Sequence, residues 1–252
     1  MTKIALIGCG FIGGFLSKAL QKNGSELVGV FDIDQSHCRK VCKNLKRKPK
    51  IARNLTELLS LEPDLVVEAA SQKAVKQYAG KVLKSGYSFL AMSVGALLDE
   101  TFYKKLQMTA EKNNVQLIVP SGAVGGLEVL RSASIGKIIS VVLTTTKRAK
   151  TLGFEKLKET KVVFDGSAID VVKKFPKNTN VAAAVSLAGL GGKKTRVRVV
   201  ADPNAVRNSH EVVAKGEFGS LVCKVENVPS DNPKTSLLAA LSVVESVKGF
   251  QN

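Results

Sequence analysis

A chain of 252 residues, 44% of them hydrophobic, carries enough apolar material for one large domain or two modest ones and shows no bias toward disorder. Its formal charge of +17 is large, yet the densest basic stretch, residues 39–50, has no interleaved aromatics. A solvated basic surface that attracts anionic ligands is therefore expected, and a nucleic-acid partner is not.

The first elements say most. Ile4-Ala5-Leu6-Ile7 reads as a strand and runs straight into Gly8-Cys9-Gly10-Phe11-Ile12-Gly13. A helical pattern follows, with Phe15, Leu16, Ala19 and Leu20 on one side, and a second apolar run, residues 27–31, stops at Asp32. Strand, glycine loop, helix, strand and acid in that order describe a dinucleotide-binding unit. Gly8 allows the tight turn, Gly10 lets the backbone approach a pyrophosphate, and Gly13 lets the helix pack close to the strands. The helix N-terminus offers unpaired N–H groups and a partial positive charge. Asp32 stands where a carboxylate binds a ribose 2′-OH, which favours NAD, while Arg39 and Lys40 leave NADP open. Because Met1-Thr2-Lys3 leads at once into this unit, no signal peptide is expected, and no apolar run nears the ~20 residues of a membrane span. A cytoplasmic chain with no membrane partner is the expectation.

Further on, residues 36–46 read as a basic helix, 51–52 as a brief strand and 54–59 as a capped helix start. Residues 65–71 read as a buried strand ending in the small turn Ala70-Ser71, which belongs at the carboxyl edge of the sheet where the nicotinamide half of the cofactor arrives. Helix 74–84, strand 88–92, a small-residue turn at 93–96, helix 99–113 and strand 115–119 complete an alternation that implies a parallel sheet with right-handed crossovers. Near Ser121 the pattern changes. After a short helix at 127–134, β-branched runs at 138–146, 195–200, 209–215 and 220–226 predict a more open, partly antiparallel sheet, with helices at 168–174 and 181–187. Gly189 to Gly192 reads as a mobile loop. Pro233 suits the first position of a last helix to about Val247. The plan is α/β: a Rossmann dinucleotide-binding domain over 1–122 and a second α+β domain with a mixed open sheet over 123–231, the helix at 232–252 packing back on the first.

Cys9, Cys38, Cys42 and Cys223 form no CxxC pair and have no clustered histidines, so buried, reduced thiols and no metal are expected. Of the two histidines, His37 falls beyond Asp32 on the adenosine side and is expected as a surface residue. His210 follows Asn208 at the start of a strand in the second domain. An imidazole with a pKa near 6.5 suits general acid–base catalysis; the alternative is a structural histidine beside Glu211. Lys234, Thr235 and Ser236 at a helix start would supply a cation and N–H donors to an anionic substrate, or simply cap that helix.

On the segments GCGFIG, VVEAASQKAV, MSVGAL, PSGAVGGLE, NVAAAVSLA, NSHEV, GEFG and NPKTSLLAALS, the chain resembles the L-aspartate dehydrogenase family over nearly its whole length. The resemblance implies a second domain of the dihydrodipicolinate-reductase-like kind and a homodimer. It implies NAD(P)-dependent oxidation of L-aspartate to iminoaspartate, or reductive amination of oxaloacetate with ammonia, feeding NAD biosynthesis. It also implies cofactor contacts at Ala123 and Asn180, a catalytic role for His210, and substrate contacts beside it, Asn208 among them. The competing readings are a dihydrodipicolinate-reductase-like reductase of another imine or aldehyde, and an NAD-sensing binding protein without turnover.

Overall fold

The computed structural model describes residues 1–175, 180–228 and 236–251. The chain divides into two compact units, Met1–Pro120 with Val243–Asn252, and Ser121–Ser242.

The first unit alternates β1 (Lys3–Ile7), α1 (Phe11–Lys22), β2 (Glu26–Phe31), α2 (Gln35–Lys43), β3 (Lys50–Ile51), α3 (Leu55–Leu59), β4 (Leu65–Glu68), α4 (Gln72–Lys84), β5 (Ser88–Ala91), α5 (Glu100–Lys112) and β6 (Leu117–Ile118). The strands form one parallel sheet in the order β3-β2-β1-β4-β5-β6. Such a sheet is covered on both faces, so its central strands are apolar throughout rather than alternating. Ile4, Ala5 and Leu6 of β1 and Leu65, Val66 and Val67 of β4 have no exposed surface at all. Each fully buried Leu, Ile or Val contributes roughly 1.5–3 kcal/mol. The small-residue turn after β5 forms a single 3₁₀ helix, Val94–Leu98.

Two glycines fix how α1 meets this sheet. Gly8 takes φ +98°, and a Cβ there would lie 2.7 Å from the Ala69 carbonyl. A Cβ on Gly13 would lie 2.0 Å from the Gly8 carbonyl oxygen, so only glycine admits this approach of helix to loop.

The second unit holds α6 (Leu127–Ala133), β7 (Ile138–Arg148), β8 (Lys161–Ser167), α7 (Ala168–Lys174), α8 (Asn180–Ala188), α9 (Gly191–Lys194), β9 (Arg196–Asp202), β10 (Asn208–Gly216), β11 (Gly219–Asn227) and the first turns of α10 (Leu237–Gln251). Its sheet runs β11-β10-β7-β9-β8, with β7 and β9 parallel and the other pairs antiparallel. Here the strands alternate. Val141, Leu143, Thr145 and Lys147 of β7 are buried, as are Val197, Val199 and Ala201 of β9 and His210, Val212 and Ala214 of β10. The opposite face is polar, and on it Arg196 and Arg198 grip Asp165 at 2.6 to 3.1 Å.

One sequence expectation changes here, one strand is new, and the expected start of the last helix lies outside the described residues. Strand β8 is hidden in the sequence, because its edge position leaves it largely exposed and without a clear apolar alternation. The loop expected at 189–192 is in part helix α9, with Gly191 at φ +77° and Gly192 buried. Helix α10 begins, as described, at Leu237. Its residues to Ser242 group with the second unit and those from Val243 with the first, where Val243, Val244 and Val247 join the core.

Gly13→Ala must displace backbone, so it is expected to cost about 1–3 kcal/mol, read as a lower urea midpoint at unchanged m value.

Candidate active site

In the first unit, Gly10 is the N-cap of α1 and no side chain caps that end. Helices α2, α4 and α5 are instead capped by Asp34, Ser71 and Asp99. A Cβ on Gly10 would meet nothing within 4 Å. Open space in front of uncapped N–H groups fits a pyrophosphate, which needs close backbone approach and positive partial charge. Phe11 is exposed and Ile12 half-buried beside it. Asp32 closes the loop: one carboxylate oxygen accepts from the Cys9 N–H at 2.7 Å and the other from the Asp34 N–H at 2.9 Å. That places an acid at the end of β2, as ribose recognition requires. His37, expected as a plain surface residue, is half-exposed but stands 3.7 Å from the Asp32 carboxylate.

Behind the loop, the Cys9 and Cys38 sulfurs lie 3.5 Å apart, both buried. The hydrogen bond to Cys38, then burial, raises the Cys9 thiol far above its ordinary range. Among the described residues no group of three or more His, Cys, Asp or Glu is placed to hold a metal ion.

The turn after β4 exposes Ala70 and Ser71. Beneath it lies Glu68, with no exposed surface, which the sequence reading passed over as part of a strand. Its Oε1 accepts from the N–H groups of Ala70 and Ser71 at 2.8 Å and from the Ser93 hydroxyl at 2.9 Å, and its Oε2 from the Ser93 N–H at 3.0 Å. Burial raises its pKa while these donors oppose the rise. The available signal was a carboxylate ending an otherwise apolar buried strand.

In the second unit, His210 is 4% exposed, on the covered face of β10. Its Nδ1 lies 3.0 Å from the Thr145 hydroxyl, directly across the β10–β7 ladder. Lys147, two residues on along the same face of β7, is also buried. Burial brings Lys147 down to about 8. Burial, then the Lys147 charge, brings His210 down to about 3. The ordinary value near 6.5 assumed from sequence is thus corrected, because sequence does not show desolvation. Glu211 is excluded as the partner of His210, since successive strand residues point to opposite faces; it lines a polar cavity on the other face with Ser209, Lys224 and Glu226.

Asn208 opens β10, half-buried. Ala123 is buried, and its carbonyl accepts from Asn227 Nδ2 at 2.9 Å, a support invisible in sequence because it spans 104 residues. Asn180 is the exposed first residue of α8. Ser236 is buried just before α10. Lys234 and Thr235 lie outside the described residues. Ala74, Ser71 and Gln72 continue the β4 turn into α4, where the Ser71 hydroxyl accepts from the Ala74 N–H at 3.2 Å.

Two family models match the chain: "Homoserine dehydrogenase, NAD binding domain" over residues 8–120 and "Aspartate dehydrogenase, C-terminal" over residues 128–250. The chain is 45% identical to an L-aspartate dehydrogenase of Methanosarcina barkeri, over 98% of this chain and 96% of that protein. It is 41% identical to one of Nitrosopumilus maritimus, over 99% and 97%. Among solved structures, the aspartate dehydrogenase of Thermotoga maritima superposes with a TM-score of 0.78 at 28% identity, covering 100% of this chain and 97% of that one.

Gly10→Ala fills only open space, so folding stability is expected to stay within about 0.5 kcal/mol of wild type while NADH affinity falls about tenfold or more, measured by calorimetric titration. A second expectation concerns acid stability. His210 titrates at about 3 when folded against an ordinary 6.5. The unfolded chain binds the extra proton between those values, so this group's contribution is complete above 6.5 and is lost as pH falls toward 3. The slope is at most about 1.4 kcal/mol per pH unit. In His210→Gln, denaturation midpoints should fall less steeply with acid across that window; an unchanged slope would mean the folded ring titrates normally.

Proposed function

This chain belongs to the L-aspartate dehydrogenase family, and we propose that it oxidises L-aspartate to iminoaspartate with NAD or NADP. In reverse it would aminate oxaloacetate with ammonia, and forward it would feed NAD biosynthesis. The observation that carries the reading is the buried triplet of His210, Thr145 and Lys147 on one face of the second sheet. It supplies acid–base chemistry in a unit whose partner unit carries the glycine loop and Asp32.

A bound nicotinamide would supply the acceptor for the hydride of the aspartate Cα. The protein must hold the substrate and manage its proton. Before hydride leaves, the α-ammonium must lose a proton so that the nitrogen lone pair can form the C=N bond. In the tautomer whose Nδ1–H donates to the Thr145 hydroxyl, Nε2 is the nitrogen that accepts that proton. The two substrate carboxylates brought beside Lys147 and His210 raise the proton affinity of both, since nearby negative charge favours the protonated form. Lys147 then holds positive charge near the carboxylates, with Asn208, Lys234, Thr235 and Ser236 as further holders. Gly8, Gly10, Phe11, Ile12, Gly13, Asp32, Ala70, Ser71, Ala123 and Asn180 form the coenzyme contacts.

In this reading residues 1–122 are the coenzyme domain and 123–231 the catalytic and dimerisation domain, with 232–252 returning to the first. The chain works as a cytoplasmic homodimer without nucleic acid or membrane. Among the described residues, no helix is long and apolar enough to cross a membrane.

The test is turnover of L-aspartate with NAD and NADP, and of oxaloacetate plus ammonia with the reduced forms. Activity confined to another imine or aldehyde would replace the substrate assignment. His210→Ala is expected to lose about 10²–10⁴-fold in kcat with NADH binding retained. Parallel loss of NADH binding would mark His210 as structural.

A further inference from the structure

We propose that Glu68 is a positioning residue for the nicotinamide half of the coenzyme. The proposal rests on the coenzyme part of the reading above and goes beyond it by naming a residue buried under the sheet's carboxyl edge.

The strand order reverses between β1 and β4, and a dinucleotide lies across the carboxyl ends at such a switch point. Asp32, at the end of β2, marks the adenosine side. The remaining half must extend past β1 over the turns that follow β4 and β5. The backbone ladder reaches the first residue of each of those two turns, through the Ala69 N–H to the Ile7 carbonyl at 2.8 Å and the Met92 N–H to the Glu68 carbonyl at 3.1 Å, and stops there. Glu68 joins them: its carboxylate binds Ala70 and Ser71 in the first turn, and both the N–H and the hydroxyl of Ser93 in the second. The first turn is also pressed against the loop, since a Cβ on Gly8 would strike the Ala69 carbonyl and the Ala70 methyl within 2.8 Å. One carboxylate therefore sets the spacing of both turns and of the loop beside them.

A structural explanation alone would not require an acid here. Burying a carboxylate costs several kcal/mol before compensation, and an apolar residue would fill β4 as its neighbours do. What an apolar residue lacks is four acceptor positions aimed at two separate turns. Three of the four donors are backbone N–H groups, so the carboxylate fixes main chain rather than side chains, and main chain is what lines a coenzyme groove.

Glu68→Gln preserves shape but replaces one acceptor oxygen with an NH₂ group. If the amide oxygen keeps Ala70 and Ser71, the NH₂ faces the Ser93 N–H, donor against donor, and the second turn is released. NADH and ADP-ribose binding are compared by calorimetry, because ADP-ribose lacks only the nicotinamide. NADH affinity is expected to fall about tenfold, the equivalent of about 1.4 kcal/mol. ADP-ribose affinity should stay within about twofold and the thermal midpoint within a few degrees. Ser93→Ala, which removes a single donor, should give the same pattern at about threefold, and it decides the matter should Glu68→Gln not fold. Equal losses for both ligands, or no loss for NADH, overturn the proposal. Both readouts are independent of turnover. A wild-type chain that binds NADH but does not oxidise L-aspartate overturns the substrate assignment and leaves Glu68 standing; one that binds neither NADH nor NADPH overturns both.

Discussion

The contact between Gly13 and the Gly8 carbonyl governs the first unit, because nothing larger than a hydrogen fits where a Cβ would come within 2.0 Å of an oxygen. That contact seats α1 against the carboxyl end of β1 and aims its N-terminus across the sheet edge. The same loop leans on Ala69 and Ala70, whose turn is tied down by Glu68. Asp32 binds the Cys9 N–H from the other side. The loop is thus fixed by backbone contact below and by carboxylates on two flanks, while the face in front of Gly10 stays open. Rigidity behind and space ahead are what a phosphate cradle requires.

The second unit solves a different problem. Its sheet has one covered and one polar face, so alternation decides the chemistry of each side chain. Thr145, Lys147 and His210 point inward among apolar neighbours, while Ser209 and Glu211 point outward. Polar groups on a covered face are expensive unless paired. Here one hydroxyl meets one imidazole nitrogen at 3.0 Å, and a desolvated lysine stands near both. Desolvation disfavours charge on both the Lys147 and His210 side chains.

Much of this was legible in the sequence, for definite reasons. A parallel, doubly covered sheet writes itself as continuous apolar runs, and its central strands β1, β4 and β5 read that way. Glycine positions were legible because positive φ and close approach have few other solutions. Strand β8 was not legible, since an edge strand left largely exposed has little hydrophobic pattern. Helix α9 was masked by its glycines.

The sequence by itself determined the order of elements, the glycine loop with its acid at the end of β2, and the identity of the single histidine in the second unit. Those features are local, encoded in spacing and residue type along a few turns of chain. Only the tertiary structure decided that Glu68 joins two turns, that Asn227 holds Ala123, and that Lys147 lies near His210 and depresses its proton affinity. Each of those depends on contacts between residues far apart in the chain and on exclusion of water. Burial and long-range proximity exist only once the sheets have closed over their faces.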